Sequence, residues 1–125
     1  METKYDVTIT AIGGLARTFL ENNKSVILLD DMVDTAGSLC GAAKALIEIG
    51  GAKEIYACAT HGVLSAPALE RIEQSPIKEL KLCDTIPYPV DQPKLDKINY
   101  VSVDRLFAEA IRRIYEEVSI SNLFD

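Results

Sequence analysis

The chain has 125 residues, enough for one domain with a genuine core but modest for an enzyme. Its 13 basic and 19 acidic side chains leave a net charge of −6, with no lysine or arginine block. That balance excludes the electrostatic footprint of a nucleic-acid binder, and an acidic chain that takes an anion must do so through local N–H groups. No signal peptide and no membrane-length apolar run is visible, and three widely spaced cysteines without a C-x-x-C fit a reducing, cytoplasmic setting.

The first 24 residues are the least readable. Asp6 to Ile12 alternates as a strand does, and Gly13-Gly14 ends it. Leu15, Phe19 and Leu20 predict one or two helical turns before Asn22-Asn23. We read 1–24 as a divergent or truncated beginning, and 25–125 as the domain proper.

Ser25 to Leu39 is the stretch on which the rest is organised. Val26-Ile27-Leu28-Leu29 is an apolar run without polar alternation, as expected of a parallel strand buried on both faces. Asp30 and Asp31 follow at once, then Asp34-Thr35-Ala36-Gly37-Ser38, then an amphipathic pattern. Strand, small-residue turn and helix start together make an anion site, because free N–H groups and the helix dipole converge there. Gly37 permits close approach, and Thr35 and Ser38 supply hydroxyl donors. The adjacent acids would repel a phosphate unless they have another task. Vicinal sugar hydroxyls or Mg²⁺ would supply it, and a phosphorylated sugar brings both kinds of group.

Further along, Leu39, Ala42, Ala43, Leu46 and Ile47 define a helix closed by Gly50-Gly51. A strand at 55–59 then leads to a loop at Thr60-His61-Gly62. His61, the sole histidine, is more simply a loop-ordering residue than a general base. A helix starting around Pro67 turns Leu69 and Ile72 inward, and a strand at 79–83 ends in Asp84-Thr85, which either line a pocket or form a turn. Pro87, Pro89 and Pro93 keep the next stretch irregular. A last strand at 98–102 precedes a helix with an apolar face of Leu106, Phe107, Ala110, Ile111, Ile114 and Val118. Cys40, Cys58 and Cys83 lie in apolar segments and read as buried free thiols. The pattern as a whole predicts an α/β fold, a doubly wound, mostly parallel sheet with ligands beyond the carboxyl ends of its strands.

Val-Ile-Leu-Leu-Asp-Asp-Met-Val-Asp-Thr-Ala-Gly-Ser resembles the phosphoribosyl pyrophosphate (PRPP) signature of type I phosphoribosyltransferases and, more closely, of ribose-phosphate pyrophosphokinases. The ending Ala-Glu-Ala-Ile-Arg-Arg-Ile … Ser-Ile-Ser-Asn-Leu-Phe is similar to that of the pyrophosphokinases alone. The resemblance covers about Ser25 to Phe124 and implies a type I phosphoribosyltransferase-like fold. It puts Asp30 and Asp31 at the ribose hydroxyls, with Mg²⁺ held indirectly, and Asp34, Thr35, Ala36, Gly37 and Ser38 around the 5-phosphate of ribose-5-phosphate or PRPP. It further implies an effector site at Ser119, Ser121 and Phe124 in a homo-oligomer. In that family ATP's diphosphoryl group passes to the ribose 1-hydroxyl, and the ATP-gripping segments, catalytic histidine and cationic catalytic loop precede the matched region. The expectation is a carboxyl-terminal half that binds the acceptor, without partner nucleic acid or membrane, and that is inactive without an ATP-binding half or partner chain. No catalytic residue is assigned, and whether the chain alone is an enzyme stays open. A small type I phosphoribosyltransferase and a non-catalytic regulatory subunit are the alternatives.

Overall fold

The computed structural model describes residues 7–11 and 24–124. Five parallel strands run in spatial order β1 (Val7–Ala11), β2 (Ser25–Val33), β3 (Glu54–Gly62), β4 (Ile77–Cys83) and β5 (Ile98–Val101). Helix α1 (Gly37–Glu48) crosses from β2 to β3, α2 (Ala68–Gln74) from β3 to β4, and α3 (Asp104–Tyr115) follows β5. A short 3₁₀ turn, Ser121–Phe124, closes the described chain. This is the parallel α/β architecture expected, with the described strands following one another in a single direction rather than doubling back. The turns anticipated after Gly13-Gly14 lie outside the described residues.

When successive parallel strands are laid down in one direction, right-handed crossovers put their helices on the same face. Accordingly Val26, Leu28, Ile55, Ala57, Leu80, Leu82 and Ile98 share one core with Leu39 and Ala43 of α1 and Ala68 and Ile72 of α2. On the opposite face Ile27, Tyr56, Cys58 and Cys83 are half-buried, and Leu29 and Val101 are exposed. Lys97 ties β5 to α2: its Nζ donates to the carbonyls of Ile72, Glu73 and Ser75 at 2.9, 3.0 and 3.0 Å. A lysine there adds a donor to the carbonyls at the end of α2, of which that of Ile72 also accepts from the Ser75 N–H and hydroxyl, and sits favourably at the negative end of the helix dipole.

Two expectations are corrected. The strands run past the expected points, because Met32 pairs with His61 and Val33 with Gly62. Asp30, Asp31 and Thr60-His61-Gly62 therefore stand within strands rather than in loops. Gly62 is needed there: a Cβ would come within 2.4 Å of Leu82 Cδ1. The second correction concerns α3. Its apolar face is amphipathic as expected, yet none of its residues is buried, with Phe107, Ile111 and Ile114 all exposed. Arg113, expected to face outward, is instead the anchor of the tail.

Leu80, fully buried at the centre of the sheet, tests where the core lies. Leu80→Ala is expected to lower the unfolding free energy by about 2–5 kcal/mol in chemical denaturation. Leu106→Ala, on the open face of α3, is expected to change it by about 0.5 kcal/mol or less.

Candidate functional site

The carboxyl end of β2 and the start of α1 enclose a cleft of ≈ 190 Å³, lined by Asp30 and by 32–39. Among the residues expected at the site, Asp30, Asp34, Thr35, Ala36, Gly37 and Ser38 all line it. Asp31 does not, but its backbone N–H donates to Asp30 Oδ1 at 2.8 Å. Burial, then hydrogen bonding with the Asp31 side chain and that neighbour's charge, raise the Asp30 carboxyl above its ordinary range, against a lowering by the Asp31 and Met32 N–H groups. The acids are thus crowded together, and a cation or hydroxyl donors would relieve them.

The turn owes its shape to backbone conformation rather than to side-chain capping. Ala36 has φ 62°, ψ 13°, the left-handed conformation, which costs a residue with a Cβ about 1–2 kcal/mol. The left-handed residue of the turn is thus Ala36, one position before the Gly37 read as permitting close approach. The first helical bond runs from Cys40 N–H to Ala36 O at 3.0 Å. The N–H groups of Gly37, Ser38 and Leu39 precede it without helical acceptors, and no side chain caps α1. What remains is a set of backbone donors at the positive end of a helix dipole, beside two hydroxyls.

Arg71 is the residue that the sequence reading missed. Its Nη1 donates to the Thr35 carbonyl oxygen at 3.1 Å, from 36 positions away. Helical spacing places Arg71 off the inner face set by Leu69 and Ile72, and no local pattern couples α2 to the turn before α1.

The ends of β3 and β4 are tied to each other. His61 Nδ1 lies 2.7 Å from Thr85 Oγ1, whose hydroxyl donates to the Thr60 carbonyl at 3.2 Å. A hydroxyl has one proton, so Nδ1 is the donor in this pair. That is the ordering role expected of His61, now between strands. Asp84 Oδ1 accepts the Val103 N–H at 2.8 Å. That bond, followed by one from Ser102, holds the carboxyl below its usual range, and Asp84 lines no part of the Asp30 cleft.

Cys40, Cys58 and Cys83 are free and half-buried rather than fully buried. Burial pushes the Cys40 and Cys58 thiols up, away from reactive thiolates. Among the described residues no group of three or more His, Cys, Asp or Glu side chains is placed to hold a metal ion, and no helix is long and apolar enough to cross a membrane. In the tail, Ser119 Oγ and Ser121 Oγ lie 3.2 Å apart, while Phe124 is exposed. Arg113 fixes this turn by donating to Ser119 O at 3.1 Å and Asn122 Oδ1 at 2.5 Å.

Comparison with known proteins identifies the family and the fold. The family model for the phosphoribosyl synthetase-associated domain matches residues 9–125. A ribose-phosphate pyrophosphokinase of Caldanaerobacter subterraneus subsp. tengcongensis is 60% identical over 101 residues, 81% of this chain and 31% of that protein. The one from Bacillus caldolyticus is 56% identical over 102 residues, 82% of this chain and 32% of its own length. In three dimensions the chain resembles phosphoribosylpyrophosphate synthetase from Mycobacterium smegmatis, with a TM-score of 0.73 and 38% identity over 77% of this chain and 32% of that one. The chain therefore spans about a third of the length of these relatives.

The crowding of the acids gives a test that needs no ligand. A carboxyl whose pKa is raised by folding opposes the folded state while it is charged, and the penalty disappears as pH falls and the group protonates. Asp30→Asn is expected to stabilise the chain slightly at neutral pH, by about 0.5 kcal/mol or less given solvent screening. In thermal melts the gain should shrink on acidification through the carboxylate range.

Proposed function

The chain belongs to the phosphoribosyl synthetase-associated domain family, and on that footing we propose that it is the acceptor-holding part of a ribose-phosphate pyrophosphokinase, binding ribose-5-phosphate and PRPP. The observation that carries this reading is the uncapped start of α1, where backbone donors and the hydroxyls of Thr35 and Ser38 surround a cleft bordered by Asp30. The 5-phosphate would take the N–H groups of the 36–39 turn and the two hydroxyls. Asp30 and Asp31 would accept hydrogen bonds from the ribose 2- and 3-hydroxyls, which relieves the charge crowding between them. Held at both ends, the sugar presents its 1-hydroxyl in a defined orientation, the main contribution that positioning makes to phosphoryl transfer.

In the proposed reaction the 1-hydroxyl oxygen attacks the β-phosphorus of ATP. The bond from that phosphorus to the α,β-bridging oxygen breaks, AMP leaves, and the hydroxyl proton is lost. Such a transfer needs cations around the developing phosphate charge, yet the cleft lining contains no lysine or arginine. We therefore assign the grip on ATP and the catalytic step to segments outside this cleft, from a further part of the protein or a partner chain. Two carboxylates with open solvent around them suit Mg²⁺, which takes its remaining ligands from water and phosphate. Asp30 and Asp31 would hold it indirectly, and when bound it would offset the charge of the diphosphate. The tail is proposed as an effector site in a homo-oligomer, supported by the paired hydroxyls of Ser119 and Ser121 and the exposed ring of Phe124.

Calorimetric titration of the 125-residue chain with ribose-5-phosphate and with Mg²⁺–PRPP tests the reading. Heat is expected with the parent. Gly37→Val, which crowds the backbone of the turn, is expected to weaken binding by about tenfold or more. A folded parent that takes up neither ligand would overturn the assignment of the cleft to ribose-5-phosphate.

A further inference from the structure

The cleft proposed for the phosphate has acids at its border and no cation in its lining. Behind the turn, however, stands Arg71 of α2. Its Nη1 donates to Thr35 O at 3.1 Å, and a Cβ built on Gly37 would lie 3.2 Å from that same nitrogen. The guanidinium therefore lies against the backbone on both sides of Ala36, the residue held left-handed. The only cis peptide among the described residues is Ala66-Pro67, so the Thr35–Ala36 peptide is trans, and in a trans peptide C=O and N–H point in opposite directions. With the carbonyl turned to Arg71, the Ala36 N–H is turned away from it, and it has no acceptor among the described residues.

We propose that Arg71 is a positioning residue for phosphate binding: by holding the Thr35 carbonyl it aims the Ala36 N–H at the phosphoryl group and places a positive charge behind it. The proposal rests on the ribose-5-phosphate reading of the cleft. A left-handed residue with a Cβ persists only where its surroundings hold it, and the Arg71 bond is such a restraint. The charge acts through the peptide it touches, polarising the N–H on the far side, and it offsets the acids that border the cleft. The guanidinium suits this task because it is permanently charged, planar and able to lie flat against the backbone, whereas a lysine would bring a compact, strongly hydrated charge.

The experiment compares the parent chain with Arg71→Met, Arg71→Lys, Gly37→Ala and the double variant of Arg71→Met with Gly37→Ala. Ribose-5-phosphate is titrated into each by calorimetry, and the Ala36 amide is followed by NMR. Thermal melts establish that each variant is folded. Arg71→Met is expected to weaken binding by about 10- to 100-fold, the range for losing a charge-assisted hydrogen bond. Arg71→Lys should recover only part of it. Gly37→Ala keeps a good helix former at the start of α1 but crowds the guanidinium. It should weaken binding more in the parent than in the Arg71→Met background, a non-additivity expected of two changes that share one contact. The Ala36 amide resonance should move on ligand addition in the parent and much less in Arg71→Met. Binding by Arg71→Met within twofold of the parent, or independent effects of the two substitutions, would overturn the role of Arg71 while leaving the ribose-5-phosphate reading intact. A folded parent that binds nothing would overturn both. If Arg71→Met does not fold, Arg71→Lys decides the matter: affinity and an Ala36 amide shift equal to the parent's would overturn the role of Arg71, and a loss of both would support it.

Discussion

Parallel pairing of β2 with β3 runs to the very end of both strands, with Met32 opposite His61 and Val33 opposite Gly62, and the rest of the site hangs on it. Because β2 stays in the sheet through Val33, Asp30 is presented from a paired ladder, opposite Ala59, rather than from a free loop. Val33 closes the arrangement by accepting N–H bonds from Val63 and Leu64 at 2.9 and 3.2 Å. Only three residues, 34–36, then separate the strand from the helix. So short a connection leaves no slack, and the chain turns through a left-handed alanine to enter α1. A rigid strand on one side and a rigid helix on the other make the turn a fixed arrangement of donors, at the carboxyl edge where parallel sheets hold their ligands.

Electrostatics pull against one another in this small volume. Carboxylates suit sugar hydroxyls and a divalent cation but repel phosphate, and the chain as a whole is acidic. Short-range order resolves the conflict. Backbone N–H groups and a helix dipole act over one turn, and Arg71 reaches the same turn from α2. Long-range attraction is not required where local donors would seat the proposed ligand.

The molecule also carries apolar surface that its described residues do not cover: Phe107, Ile111 and Ile114 on α3, and Leu29 and Val101 on the sheet. The chain matches about a third of the length of its relatives. The two facts are consistent, since a sheet wound in one direction covers one face with its own crossovers and leaves the other to different segments.

Local pattern carried the sequence reading a long way. The apolar run of β2, the spacing of Leu39, Ala43 and Leu46, and the small-residue turn between them identified strand, helix and cleft, because each is governed by neighbours within a few residues. Asp30 and the turn at 34–38 were legible for the same reason. Tertiary structure alone decided the rest. That β2 and β3 extend past Asp30 and Thr60 follows from their pairing with each other. That Ala36 is left-handed follows from how strand and helix are joined. That α3 buries none of its apolar face depends on what stands opposite it, which periodicity does not reveal. Arg71 is the clearest case: 36 residues separate it from Thr35, and only the packing of α2 beside α1 brings a guanidinium to that carbonyl. Periodicity says which side of a helix is apolar, whereas the partner of an outward-facing charge is set by three-dimensional proximity.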